Sequence, residues 1–472
     1  MTDITHASAR IKPRILQGTP VILLTMSLGV LIAQIDTSVV NLAVKEIGAS
    51  LGAGVTALQW VVDAYNLVYA SLLLTAGTLA DLYGRRRIFA LGIALFTLGS
   101  LVCGLAPNAA VLVGGRAVAG LGAALAIPTS LAILTVAYPD KKQRAHALGV
   151  WASCNGLAFA IGPPLGGVLV DSVGWRSIFL LIVPICGLAL ALTATSVPES
   201  KAPQGRSLDV PGQALAVAAL GALSLAVIEG PRWGWGSIGS VAAFVASALS
   251  VVLFALRQKD SDGALVPLAM FRNRVFSASL GIAAAMTFGM YAMLFLTPLY
   301  LQAGRGDGAL LAAVELLPMS VTFAIVSQFA GRIANAYGPR LPMTLGMAMM
   351  GTGLFMLALI PLNNSLLLIE AALLVIGCGL GLNTAPVNAV AVASVPAARS
   401  GTASGLVNTA RMVGATLGVA VLGALFAMFA GGHVAAGLPA AFIVGGIGEM
   451  LGAAAAFKFI DRDSLDPVPA KR

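Results

Sequence analysis

The chain has 472 residues, of which 58% are hydrophobic and 10% charged, with a mean hydropathy of +0.93. A soluble protein carries about 25% charged residues, so the composition excludes a soluble globule and makes lipid the natural solvent. The net charge of +9 would suit a nucleic-acid binder, but the charges fall between apolar runs at alternate ends. They are a topology signal instead. The 54 glycines suit helices that pack in lipid through small residues. Cys103, Cys154, Cys186 and Cys378 lie in apolar runs without metal-ligand spacing and read as small buried apolar side chains.

Residues 1–18 are a polar N-tail with Arg10, Lys12 and Arg14. No small-residue cleavage site follows the first apolar run, so that run reads as a span and not as a leader. A membrane helix needs about 20 apolar residues. Fourteen runs qualify: 19–42, 57–80, 88–106, 110–135, 146–170, 177–197, 210–229, 236–256, 275–301, 309–331, 341–361, 366–390, 400–428 and 438–459. An even number puts both termini on one side. Only Lys45, Arg176, Arg232 and Arg305 fall on the opposite side, and Arg116 and Arg411 fall within spans. The rest of the 28 basic residues, among them Arg206, Lys471 and Arg472, lie on the side of the termini. The positive-inside rule makes that side the cytoplasm.

The chain is internally repeated. Gly77 and Gly331, Arg144 and Arg399, and Gly162 and Gly414 are pairs separated by about 250 residues. The first six helices therefore map onto the last six, and helices 7 and 8 are left as a central insertion. The expected fold is all-α and integral to the membrane. It consists of the N-tail (1–18), a six-helix bundle (19–200), two additional helices (201–260), a second six-helix bundle (261–460) and a C-tail (461–472). Two parallel halves, each of inverted three-helix pieces, are the architecture of a rocking transporter.

Four stretches carry chemistry. The first is GTLADLYGRRR, 77–87, with Gly77, Asp81, Gly84, Arg85, Arg86 and Arg87. Its glycines allow a tight turn, and Asp81 can pair with an arginine or cap a helix N-terminus. The weaker copy at 331–340 has Asn335 at the place of Asp81. The second is helix 5, 149–167, with Gly149, Gly162, Pro163, Gly166 and Gly167. Its Gly-Pro pair bends the helix and its glycines admit a close neighbour. The third is QIDTSVVNLAV, 34–44, in helix 1. A carboxylate within a span marks an ion path by default, so Asp36 is the first candidate for proton binding or substrate contact; structural pairing with a polar neighbour is the alternative. The fourth, 112–130 in helix 4, holds Arg116, Gly120 and Gly122. Arg116 needs an anionic partner, expected in Asp36 or Asp63, either as a responsive pair or as a static bridge.

Other charges lie within spans. Asp63 and Asn66 share a face of helix 2. Glu315 in helix 10 maps close to Asp63, and Glu370 maps onto Arg116. Arg411 in helix 13 is expected to pair with Glu449 of helix 14. Glu229 lies at a helix end, where solvation is the simpler reading.

These stretches resemble those of the major facilitator superfamily, in its fourteen-helix drug:proton antiporter branch. The resemblance covers nearly the whole chain, with departures at Leu82, Ala158, Val44 and Lys45. It implies a cytoplasmic gate at Gly77, Asp81, Gly84, Arg85 and Arg86, and an antiporter motif at Gly149, Gly162, Pro163, Gly166 and Gly167. The charges within spans, Asp36, Asp63, Arg116, Glu315, Arg411 and Glu449, are the candidates for proton or substrate coupling, and the resemblance associates Arg116 with proton transfer. The expected activity is proton-coupled efflux of small amphiphilic, often cationic, compounds by alternating access. No cofactor is expected beyond the proton gradient, and the partners are substrate, protons and lipid around a monomer that is not an enzyme. The alternatives are an exporter dedicated to one antibiotic or metabolite, an importer, and a non-transport membrane protein.

Overall fold

The computed structural model describes residues 18–202, 208–259, 266–363, 365–396, 399–431 and 433–465. Most of the N-tail with Arg10, Lys12 and Arg14, and likewise Arg206, Lys471 and Arg472, lie outside them. Fourteen helices among the described residues are long and apolar enough to cross a membrane. They are α1 (Thr19–Leu51), α2 (Val55–Tyr83), α3 (Arg85–Gly104), α4 (Ala109–Ala137), α5 (Lys141–Val173), α6 (Arg176–Ser196) and α7 (Val210–Trp233). The series continues with α8 (Ile238–Lys259), α9 (Arg274–Gly304), α10 (Ala309–Tyr337), α11 (Arg340–Leu362), α12 (Leu366–Ala393), α13 (Ser400–Ala430) and α14 (Val434–Phe459).

Lipid offers no hydrogen bonds, so each spanning segment satisfies its backbone internally as helix. Polar side chains mark several starts. Asn108 accepts from the Val111 N–H ahead of α4, and Asp140 from those of Lys142 and Gln143 ahead of α5. Several spans are less regular than their hydropathy predicts; α6 is interrupted at Leu181 and α11 at Leu359. α9 ends in a π turn over Tyr300–Gly304, and α10 is interrupted at Leu316, directly after Glu315.

The halves repeat each other's packing. α3 lies on α4, α2 on α4 and α1 on α5; in the second half α11 lies on α12, α10 on α12 and α9 on α13. Between halves, α2 meets α13 and α5 meets α10, which are equivalent contacts under the repeat. Bare glycines permit the closest of these approaches. A Cβ on Gly99 of α3 would sit 2.5 Å from the Ala119 nitrogen of α4, and one on Gly92 would sit 2.8 Å from the Ala126 nitrogen. Backbone lies against backbone there, and only glycine fits.

The inserted pair, α7 and α8, covers the seam where α2 meets α13. Toward α2 its contacts are polar. Gln213 donates to the Ser71 carbonyl at 2.6 Å and accepts from the Thr75 hydroxyl, and Glu229 accepts from Trp60 Nε1 at 3.0 Å. Toward α13 they are apolar, with Val227 and Ile228 against Ala420 and Ala424. Glu229 is therefore not the solvated end residue expected from its position. It is 8% exposed because the Trp60 indole and Arg232 hold it. At the other end of the pair, Asp209 accepts from the Gly212 N–H, from Gln258 at 2.6 Å and from Arg257 at 3.2 Å. Burial alone would raise the Asp209 carboxyl, but these donors outweigh it and hold it below the ordinary value. Its contribution to stability is present above the ordinary carboxylate range and is lost as pH falls through the folded-state value.

Gly99→Val should disrupt the α3–α4 contact at a cost of about 1–3 kcal/mol, seen as a lower melting temperature in detergent. Gly77→Ala, where a Cβ meets nothing within 4 Å, should leave the melting temperature unchanged.

Candidate functional site

The close approach of α2 and α4 positions the central charge pair. A Cβ on Gly120 would lie 2.5 Å from the Tyr65 carbonyl, so the two helices touch there. One turn away, Arg116 Nε donates to the Val61 carbonyl at 2.9 Å. Its Nη1 donates to Asp36 Oδ2 of α1 at 2.5 Å, and the guanidinium lies 4.5 Å from the centre of the Tyr65 ring. Arg116 and Asp36 are each 1% exposed. Of the two partners expected for Arg116, the geometry selects Asp36. The pair joins three helices of the first half.

Asp63 is left apart from this pair. It is fully buried, and neither carboxylate oxygen has a hydrogen-bond partner among the described residues. It faces the inserted helix α7, where Ser224 stands.

The second half is arranged differently. The expected Arg411–Glu449 pair does not form. Arg411 Nη2 donates instead to the Thr384 carbonyl of α12 at 2.8 Å, and Thr287 of α9 donates to the Arg411 carbonyl at 2.6 Å. Glu449 points toward α9, where a Cβ on Gly289 would lie 2.6 Å from its Oε1. It is fully buried, and both oxygens lack a partner among the described residues. Gly289 is thus a notch that admits the Glu449 side chain.

Glu315 sits at the break in α10, 5% exposed, with Arg305, Asp307 and Glu370 as the charged groups around it. Asp63, Arg116 and Glu315 lie toward the end of the bundle opposite the termini. Asp36, in contact with Arg116, lies at the same level although it falls midway along the 33 residues of α1.

A small cavity lies between the halves, lined by Ser38 and Asn41 of α1, Phe159 and Pro163 of α5, Leu294 and Pro298 of α9, and Met319 and Ser320 of α10. Beyond it, the end opposite the termini is closed. Lys45 donates to the Gln302 carbonyl at 2.7 Å, and Gln302 donates to the Leu42 carbonyl at 2.8 Å. Asp171 of α5 accepts from the Ala309 and Leu310 N–H groups at 3.0 and 2.8 Å, capping the start of α10. The helix 5 motif serves this closure. Gly162 and Gly166 admit Ser38 and Val39 of α1, Pro163 lines the cavity, and a Cβ on Gly167 would lie 2.6 Å from Leu310 Cα of the other half. A Cβ on Gly149, by contrast, would meet nothing within 4 Å.

At the end that holds the termini, the loop 77–87 is clasped by the segment that leaves α6. Asp81 accepts from Arg85 Nη2 at 2.8 Å. Gly84, at φ +114°, leaves room for Glu199, whose carboxylate would lie 2.7 Å from a Cβ. Glu199 accepts the N–H groups of Arg86 and Arg87 at 3.1 and 3.3 Å, so Glu199 caps α3. Arg85 N–H donates to the Ser200 carbonyl, and Ala202 N–H to the Asp81 carbonyl. In the second copy Gly338 meets Arg462, beyond α14, where the first half has Glu199. Gly77 packs against nothing within 4 Å of its Cβ position.

Removing Arg116 should strand the Asp36 carboxylate. Arg116→Ala should lose about 3–5 kcal/mol of stability, and Arg116→Ala with Asp36→Asn should recover part of it, because an unpaired buried charge costs more than an absent pair. Thermal denaturation of the detergent-solubilised variants checks this.

Comparison with known proteins agrees with this layout. A family model described as Major Facilitator Superfamily matches residues 26–419. The chain is 40% identical over 405 residues to the "Multidrug resistance protein Stp" of Mycobacterium tuberculosis, covering 86% of this chain and 75% of that protein. It is 34% identical to the "Methylenomycin A resistance protein" of Bacillus subtilis, covering 93% of this chain and 94% of the relative. Among solved structures, a D-xylose-proton symporter superposes with a TM-score of 0.69 at 16% identity, over 96% of this chain and all of its own; that likeness concerns the fold alone. With the fourteen spans and the repeated halves, the match establishes that the chain belongs to the Major Facilitator Superfamily and is a multi-pass membrane transporter.

Proposed function

We propose that the protein exports small amphiphilic, often cationic, compounds across the cytoplasmic membrane in exchange for protons. The observation that carries this reading is the buried Arg116–Asp36 pair, with Asp63 unpaired beside it. A carboxylate deep in a membrane bundle is costly unless it is paired or protonated, so the layer suits proton exchange. The relatives named for multidrug and methylenomycin A resistance support export, as does the helix 5 motif with Gly162, Pro163, Gly166 and Gly167.

The distribution of basic residues places both termini in the cytoplasm. On that orientation the bundle is closed outside by Lys45, Gln302 and Asp171, and substrate reaches the central cavity from within. A proton arriving from outside neutralises Asp36, loosening Arg116, or neutralises Asp63, and so resets the halves. The loop 77–87 acts as the inner latch, with Asp81, Gly84, Arg85 and Arg86. The loop 331–340, which lacks the carboxylate, acts mainly as a turn. Glu315, Arg411 and Glu449 extend the coupling network into the second half. The transporter works as a monomer.

Substrate-driven proton release from proteoliposomes, over a panel of cationic and neutral drugs, tests the exchange. Asp36→Asn should lower the coupled rate on the order of tenfold, which corresponds to about 1.4 kcal/mol in the barrier, at unchanged protein level. Undiminished proton-driven efflux would remove Asp36 from the mechanism. A second reading, export of one compound only, draws on the methylenomycin A resistance relative; protection against a single compound class in the same panel would select it. Asp81→Asn should slow transport while leaving the fold in the membrane, and wild-type rates would reduce the loop to a topology anchor.

A further inference from the structure

The inserted helices α7 and α8 stand outside the repeat, and nothing above gives them a part in coupling. Their contacts with α2 fix an antiparallel register. Gln213 meets Ser71 and Thr75 at one end, and Glu229 meets Trp60 at the other. Between these two anchors, Asp63 of α2 comes level with Ser224 of α7. Both are fully buried, at 0% exposure. The two Asp63 oxygens and Ser224 Oγ all lack a hydrogen-bond partner among the described residues.

The titratable groups of the neighbouring elements are engaged elsewhere. Asp36 of α1 and Arg116 of α4 hold each other. Cys103 of α3 donates to the Leu112 carbonyl. Glu229 of α7 holds Trp60 and Arg232. Arg411 of α13 donates to Thr384. Ser224 is the polar side chain of α7 that register and burial set against Asp63.

We propose that Ser224 is a positioning residue for the Asp63 carboxyl, so that the inserted helix supplies a group to the coupling layer of the first half. This rests on the reading that Asp63 takes part in proton exchange. A hydroxyl suits the task because it donates to a carboxylate and accepts from a protonated carboxyl. Asp63 can then gain or lose a proton without leaving a buried polar atom bare. The Asp63 carboxyl and the Ser224 hydroxyl are thus buried opposite each other, each with polar atoms that no other side chain satisfies among the described residues. The polar anchors at Gln213 and Glu229 hold α7 in register with α2, while the face it turns to α13 is apolar at Val227 and Ile228.

The test is infrared difference spectroscopy of the full chain in lipid vesicles across a pH step, with Asp63→Asn identifying the Asp63 carboxyl band. Ser224→Ala should move that band to higher wavenumber, as expected for a protonated carboxyl that has lost its hydrogen-bond partner, and Ser224→Thr should restore it. Ser224→Cys, a weak donor of similar size, should give an intermediate displacement and serves if the alanine variant folds poorly. In transport assays Ser224→Ala should weaken substrate-driven proton release, with no further loss when combined with Asp63→Asn. A band unmoved by both the alanine and the cysteine variants overturns the inference. Full proton coupling in Asp63→Asn alone would instead defeat the coupling role of Asp63, while the band still decides whether Ser224 touches it.

Discussion

The first half depends on one constraint, that a guanidinium within the bundle must be satisfied on every side. Arg116 meets it with a carboxylate from α1, a carbonyl from α2 and the face of Tyr65. Those three contacts lock α1, α2 and α4 into one layer. The glycines of α4 exist for the same end, since without Gly120 the backbone of α2 could not come within reach of Arg116. Packing and charge are therefore not separate features here. Close approach brings the charge partners within reach, and the charge pair sets which register of close approach is stable.

The second half follows the same helix pairing but solves its charge problem the opposite way. Arg411 finds only backbone oxygen, and Glu449 finds a glycine notch in place of a cation. The asymmetry recurs at the end that holds the termini. Glu199 caps α3 in the first half, while the second half places Arg462 at the corresponding turn. The duplication kept the scaffold and let the chemistry of the two copies diverge.

The fold was largely legible from the sequence. Length and hydropathy mark spans because lipid leaves helix as the simple way to satisfy a backbone, and the paired glycines and arginines expose the repeat. Asp36, Asp63 and Arg116 stand out as charges in apolar runs. Partner choice was less accessible. Whether Arg116 meets Asp36 or Asp63 depends on helix rotation, which spacing along one chain does not encode. The Arg411–Glu449 expectation failed for that reason, as both lie mid-span but on faces turned apart. Glu199, Gln302, Asp171 and Ser224 gave little signal, because a loop acid, a span-end amide or a lone serine is common on any membrane helix. Their importance arises from what lies opposite them, which is a property of the assembled bundle.

The seal opposite the termini has a consequence of its own. Lys45 and Asp171 both belong to the first half and reach across to the second, yet among the described residues neither is ion-paired there; each meets peptide groups. When the seal parts, each charge returns to water without leaving a stranded counter-ion, so separation carries no large Coulomb barrier. Such contacts also gain little from low ionic strength, since screening acts mainly between full charges. Closure on that side is accordingly set by the fit of helix ends, and should hold with similar strength in dilute and in saline surroundings.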